Sequence, residues 1–352
     1  MNMENEKTTE QSQMLANRLQ KRFRHLKKWA QRNNIGAFRI YDRDIPEIPL
    51  VLDFYGSVSH ADEAAISGAL YKRPYEKDEE EEKQWLSAMK NAASAALGIN
   101  IERIFLKQRQ KQRGESQYEK TSDARFEKIV SEGDLVFKVN LSDYLDTGLF
   151  PDRRLLRVMV QSEAKGKRVL NLFSYTGSFS VYAASGGAAS TDSIDLSNTY
   201  LNWARENFSL NGLSAQVFQI WDFFSGKERQ GGDGRNSLIR ADVLEFLEKA
   251  ASSKIKWDII VLDPPSFSNS KKMTEDFDLQ RDFYELTGKC INLLAPEGKL
   301  FLSVNQKQFK LNASEMEEKL KMHVTDLQKK ITDEDFHGKK IPQSFLINHS
   351  DS

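Results

Sequence analysis

The chain of 352 residues carries 51 Lys plus Arg against 51 Asp plus Glu, with 39% apolar and 29% charged residues, which suits a globular protein with a sizeable core and excludes disorder throughout. A formal net charge of zero argues against a uniformly cationic nucleic-acid binder, and no apolar run approaches the roughly 18 residues of a membrane span. Residues 1–13 are polar and lack the basic start and apolar stretch of a signal peptide, while Cys290 is the only cysteine, so no disulfide framework or thiol-rich metal site is expected and a reducing cytoplasm is.

In chain order, Leu15, Leu19, Phe23, Leu26 and Ala30 recur at helical spacing and predict an amphipathic helix over 15–31, ended by Gly36. Its outer face holds Arg18, Lys21, Arg22, Arg24, Lys27, Lys28 and Arg32 with no acid among them, which reads either as a phosphate-binding face or as a solvated one. Strands are expected over 38–41 and 50–55, separated by a segment in which Pro46 and Pro49 disfavour a ladder, so the pair reads as a hairpin. The mainly acidic run 76–82 leads into a helix through Trp85 and Met89 to Leu97, followed by strands near 103–107 and 135–139. These elements make a small α+β unit, with a second basic run at Arg103, Lys107, Arg109, Lys111 and Arg113.

From Arg168 onward, short apolar strands over 168–173, 190–195, 237–241, 257–262 and 299–304 alternate with helical patterns. That alternation implies a parallel sheet with right-handed crossovers. The stretch 223–235, with four glycines and mixed charges, reads as an exposed insertion.

In open α/β sheets ligands lie outside the carboxyl ends of the strands, so the residues just beyond each strand matter most. After the first comes Asn171-Leu172-Phe173-Ser174-Tyr175-Thr176-Gly177-Ser178, with one glycine where a dinucleotide fold would show three. Several glycines allow close approach to a pyrophosphate; S-adenosylmethionine carries no phosphate and needs only one. Asp195 ends the second strand 18 residues beyond Gly177, the place of a carboxylate that accepts from ribose hydroxyls or, alternatively, of a helix N-cap. Asp242 follows the third strand, suited to accept from an adenine amino group or to serve as a solvated cap. After the fourth strand stands Asp263-Pro264-Pro265-Ser266-Phe267, where two prolines fix φ and leave carbonyls free while Phe267 can stack on a planar base. The alternative is a stiff turn.

With these residues in place the chain resembles a class I S-adenosylmethionine-dependent methyltransferase, and more narrowly the RlmK family of bacterial 23S rRNA guanine-N7 methyltransferases. The phrases that carry the likeness are 141–150 (Leu141 to Phe150), 171–178, 198–207 with 210–213, and 263–271. The likeness runs from about Asn17 to the C-terminus. It implies a Rossmann-like α/β sheet of seven mostly parallel strands with a smaller N-terminal α+β domain, divided as 1–40 (basic helical segment), 41–145 (α+β, RNA-binding) and 146–352 (methyltransferase). It further implies that Phe173, Tyr175, Gly177, Asp195, Leu196, Asp242 and Val243 line the cofactor site. Asp152 and Arg153 would lie near the methionine end, with Arg153 paired to the cofactor carboxylate. Asp263, Pro264, Pro265 and Phe267 would face the target base. In the fused RlmKL enzymes this module follows a second methyltransferase with its own RNA-binding domain, and the expectation here is a module without either. A partner protein, the basic helix or a ribosomal assembly intermediate would then supply capture of 23S rRNA.

Guanine N7 has an in-plane lone pair and no proton, so methylation there asks for in-line positioning rather than a general base. Cytosine-C5 methylation needs a thiolate, and Cys290, beside Ile291 and near Leu293 in an expected helix, reads as a core residue instead. Methylation of an exocyclic amine fits a proline-rich loop with an aromatic equally well, and only the resemblance favours N7. A reading of another class is a non-catalytic RNA-binding module on a methyltransferase scaffold, against which Asp195, Asp242 and Asp263 all speak.

Overall fold

The computed structural model describes residues 3–71, 78–108, 125–144, 146–225, 235–265, 267–268, 277–306 and 309–349, without the side chains of 3–5, 108, 267, 268 and 277. Two compact units result: Met1–Pro151 with Glu334–Lys339, and Asp152–Asp333 with Lys340–Ser352.

The first unit begins with α1 (Met3–Arg32), longer than the apolar periodicity indicated because its polar first turns are helical too. Leu15, Leu19, Leu26 and Ala30 are buried along one stripe and share a core with Phe38, Phe54, Trp85 and Met89. The helix expected as a separate segment 1–40 lies in the same compact unit as the sheet expected over 41–145, its apolar stripe sharing one core with that sheet. The sheet has four strands in sequence order: β1 (Ala37–Asp42), β2 (Leu50–Tyr55), β3 (Ala65–Leu70) and, after α2 (Glu79–Leu97), the parallel β4 (Ile104–Gln108). The expected hairpin is β1 with β2, antiparallel. β3 escaped the sequence reading because Ser67 and Gly68 dilute its apolar signal. Asp78 caps α2 by accepting from the Glu80 and Glu81 N–H groups, and Gly98 closes it in the left-handed region at φ 68°. A separate hairpin joins β5 (Glu127–Glu132) to β6 (Leu135–Asn140).

The basic helix face is partly neutralised within this unit. Arg18 pairs with Asp44 at 2.5 Å, Arg22 donates to the Asp335 carbonyl at 3.2 Å, and His25 lies 2.6 Å from Glu334. Lys21, Arg24, Lys27 and Lys28 stay exposed.

In the second unit, α3 (Arg154–Glu163) precedes β7 (Arg168–Leu172), α4 (Ser178–Ser185), β8 (Ser190–Asp195), α5 (Asn198–Leu210), β9 (Gln216–Gln219), α6 (Ile220–Phe224), β10 (Asn236–Arg240), α7 (Val243–Ser252) and β11 (Trp257–Leu262). A two-stranded ribbon of β12 (Phe267–Ser268) and β13 (Phe277–Asp278) follows. Then come α8 (Leu279–Ile291), β14 (Leu294–Val304), α9 (Ala313–Leu320), β15 (His323–Asp326) and β16 (Gln343–Asn348). The sheet order is β15-β16-β14-β11-β7-β8-β10-β9, eight strands where seven were expected. The pairs from β14 through β9 are parallel, and β16 runs antiparallel to both β14 and β15. The four-residue β9, with only Val217 and Phe218 apolar, was too short to show a period. Of the expected insertion 223–235, Phe223 and Phe224 pack against Phe246 in the core, and 226–234 lie outside the described residues.

One face of the sheet packs through Leu170, Leu262, Phe246 and Leu286, the other through Leu156 and Val160 of α3 against Ile259, Val261 and Phe301. Cys290 is buried in the first of these clusters, where burial pushes its thiol pKa up, away from nucleophilic use. Among the described residues no helix is long and apolar enough to cross a membrane, and no group of three or more His, Cys, Asp or Glu is placed to hold a metal ion.

Candidate active site

Parallel pairing sets the site. Leu262 is in register with Leu172, Leu172 with Ile194, and Asp195 with Arg240, so the ends of β11, β7, β8 and β10 lie side by side along one sheet edge. Immediately beyond that edge stand Asp263, Phe173 and Leu196, and one residue further along, Asp242.

The turn after β7 is held in an unusual backbone. Phe173, Tyr175 and Gly177 all have left-handed φ, at 54°, 50° and 74°, and only the last is a glycine. Non-glycine residues there cost about 1 to 3 kcal/mol each, so the turn must be held by its surroundings. Ser174 N–H donates to the Ile194 carbonyl at 2.9 Å, Tyr175 N–H to Asp195 Oδ2 at 2.9 Å, and Gly177 N–H to the Ser174 carbonyl at 2.8 Å. From α5, Asn207 Nδ2 donates to the Thr176 carbonyl at 2.9 Å. Gly177 is required twice over: a Cβ would lie 2.8 Å from the Ala204 Cβ, in addition to the strain of its φ. The Tyr175 ring meets Tyr200 edge-on at 4.5 Å, and Phe173 is partly buried against the core. Ser174 Oγ is buried in the turn with no hydrogen-bond partner.

Asp195 fastens this turn to β8. Its Oδ1 accepts from Ser197 N–H at 2.8 Å while Oδ2 takes the Tyr175 N–H. Burial raises its pKa to about 6, opposed by the N–H donors of Ser197, Tyr175 and Leu196. The alternative reading of Asp195 as helix N-cap is corrected here: Ser197 is the cap of α5, accepting from Tyr200 N–H at 3.4 Å. Asp242 does cap α7, its Oδ1 accepting from Leu244 and Glu245 N–H at 2.9 and 3.2 Å, and its Oδ2 has no partner among the described residues. Leu196, next to Asp195 in sequence, is half-buried, and Val243, next to Asp242, is buried in the core.

At the end of β11 the acid has a different partner. Arg153 donates through Nε to Asp263 Oδ2 and through Nη2 to Asp263 Oδ1, each at 3.1 Å, and its Nη1 lies 2.9 Å from Asp152 Oδ1. The guanidinium expected to meet a cofactor carboxylate is thus engaged by two carboxylates of the chain itself. Burial works against its charge, but Asp152 and Asp263 outweigh that and hold its pKa above the ordinary arginine value. Pro264 is buried and Pro265 half-buried. The Phe267 main chain pairs with Asp278 in the short ribbon; its side chain, and Ser266, lie outside the described set.

Sequence reasoning missed Asn207 and Ser197. Asn207 had a signal: it is a polar residue on the stripe that also buries Tyr200, Trp203, Ala204 and Phe208, and a fully buried amide is there to bond something. The Arg153–Asp263 fork had none, because its partners are 110 residues apart.

A family model described as S-adenosylmethionine-dependent methyltransferase matches residues 63–324. The chain is 44% identical over 334 residues to ribosomal RNA large subunit methyltransferase K of Neisseria meningitidis serogroup B, covering 95% of this chain and 86% of that relative. It is 45% identical over 305 residues to ribosomal RNA large subunit methyltransferase K/L of Hahella chejuensis, covering 87% of this chain but 38% of the relative, so it spans well under half of that longer protein. A crystal structure of a methyltransferase complexed with SAH superposes with a TM-score of 0.69 at 21% identity, over 96% of this chain and 81% of that one, which is a likeness of fold.

Proposed function

Given that the chain belongs to the S-adenosylmethionine-dependent methyltransferase family, we propose that it methylates guanine N7 in 23S rRNA. The observation that carries the substrate class is the 44% identity over 334 residues to a relative named for the large-subunit rRNA.

The residues at the sheet edge fit the cofactor. A carboxylate of raised pKa at the end of β8 suits ribose hydroxyls, and Asp242 Oδ2 is left to accept from an amino group. The buried, unpartnered Ser174 Oγ adds a polar atom to the turn that Tyr175 and Gly177 shape. When bound, S-adenosylmethionine supplies an electrophilic sulfonium methyl.

The chain's own part is to position and desolvate the target. N7 presents a lone pair and no proton, so no side chain need remove one. The thiol that a cytosine-C5 reaction requires is absent from the edge, since Cys290 is a core residue. A base within a duplex cannot reach a strand-end site, and flipping it costs a few kcal/mol. Lys21, Arg24, Lys27 and Lys28 hold phosphates, either of free rRNA or of an assembly intermediate. A protein partner that captures the RNA fits the same scheme.

The test is incubation with methyl-labelled cofactor and rRNA from cells lacking the modification, followed by reduction and chemical cleavage at N7-methylguanine. One labelled, cleavable site in 23S rRNA is the expected result. Label without cleavage means an exocyclic amine or a ring carbon, and cofactor binding without label means a missing partner or a non-catalytic RNA-binding module.

A further inference from the structure

We propose that Arg153 is a positioning residue: its two-bond fork to Asp263 fixes the Asp263-Pro264-Pro265 turn, so that the turn offers its main-chain carbonyls to the target base and the Asp263 carboxylate serves as anchor rather than proton acceptor. The inference deepens the proposed function and rests on that reading for the identity of the base.

Three observations converge. The two prolines have no N–H, so beyond the strand ladder the turn has few ways to be fastened, and among the described residues its one side-chain bond is the fork. The fork is built into a rigid place. Arg153 is 7% exposed and immediately precedes α3, whose Leu156 and Val160 pack against Ile259 and Val261 of β11 itself. The strand and the arginine that grips its end are thus parts of one packed layer. Third, Asp152 supplies a second carboxylate at 2.9 Å, so the guanidinium sits between two acids and stays charged.

This has a chemical consequence. Moving a proton onto Asp263 would neutralise one of the two carboxylates that face the buried Arg153 guanidinium and leave that charge half-compensated. A reaction at an exocyclic amine sheds a proton as the new N–C bond forms and the methyl leaves sulfur. At N7 the lone pair forms that bond and the base keeps the positive charge, so nothing has to be accepted. An anchored Asp263 suits the second case.

The experiment compares wild type with Arg153→Lys, which keeps the charge but not the fork, and with Asp263→Asn, measuring S-adenosylmethionine Kd by calorimetry and kcat and KM on unmodified rRNA from pH 6 to 9. Expected are cofactor Kd values within twofold of wild type, which also show that the variants fold, and kcat lowered about 100-fold in each. The double variant should lose no more than the worse single variant, because the two residues act as one unit. The pH–rate profile should keep its shape in Asp263→Asn. Cofactor affinity lost in Arg153→Lys with kcat retained would overturn the proposal and return Arg153 to the cofactor carboxylate. A rate limb in wild type that vanishes in Asp263→Asn would overturn it by making Asp263 the base. The methylated atom, read by chemical cleavage of the wild-type product, is scored separately, so a wrong target base and a wrong role for Arg153 give different results.

Discussion

The ends of β8 and β11 each carry an aspartate, yet the two are held in opposite ways. Asp195 is surrounded by main-chain N–H donors, with no cation paired to it among the described residues, and burial lifts its pKa to about 6. Asp263 is gripped by a buried guanidinium that a second carboxylate also faces. The same side chain is in one case a carboxylate that still gains from further donors, and in the other a structural ion. Position along the sheet edge says where a ligand lies; the partner of each acid says what that acid can do there.

Removing Arg153 altogether should have the largest effect. Arg153→Ala leaves Asp152 and Asp263 without their shared cation, and urea unfolding should show a loss of about 3 to 5 kcal/mol; a loss under about 1 kcal/mol would mean that the pair is effectively solvated.

Asp195→Ala should instead spare the fold and weaken S-adenosylmethionine at least about 100-fold by calorimetry, since bonds to a charged acceptor are worth about 1.5 to 3 kcal/mol each. Unchanged affinity would end the ribose assignment. The same carboxylate predicts a pH signature. Its pKa in the fold is raised, so the protonated form favours folding, and this group's contribution to stability declines as pH rises from the unfolded value toward 6. Cofactor binding has the opposite sign, because ribose hydroxyls need the ionised acceptor. Affinity should be flat above pH 7 and fall about tenfold per unit below 6, and Asp195→Asn should abolish that slope.

Gly177→Ala meets both a left-handed φ and a 2.8 Å contact, and should destabilise by about 1 to 3 kcal/mol with a weaker cofactor site. Ser197→Ala removes the α5 cap, a loss of about 1 kcal/mol visible as a lower Tm, while Asp195 still holds the turn. The smallest effect is expected at the first unit: neutralising Lys21, Arg24, Lys27 and Lys28 should flatten the salt dependence of RNA binding, and an unchanged slope would make that face merely solvated.

Much of the edge was legible in the sequence because strands that alternate with helices announce themselves by period, and 190–195 and 257–262 coincide with the observed β8 and β11. The strands that went unread are short, as β9 is, or diluted by Ser and Gly, as β3 is. The compact division falls at Pro151 and Asp152, and Glu334–Lys339 belongs to the first unit, where Asp335 accepts from Arg39 N–H at 3.0 Å and Lys339 pairs with Asp44. No local pattern marks that excursion. Its anchors are single residues scattered through a charged segment.

By itself the sequence determined which residues stand at the strand ends, because period and proline placement are local properties of the chain. Tertiary structure alone decided what those residues do: that Ser197 rather than Asp195 caps α5, that Asp242 caps α7 with one oxygen, and that Arg153 meets Asp263. The reason is physical. A carboxylate's chemistry is set by the donors and charges within about 4 to 6 Å, and the fold, not the order of residues, brings those together.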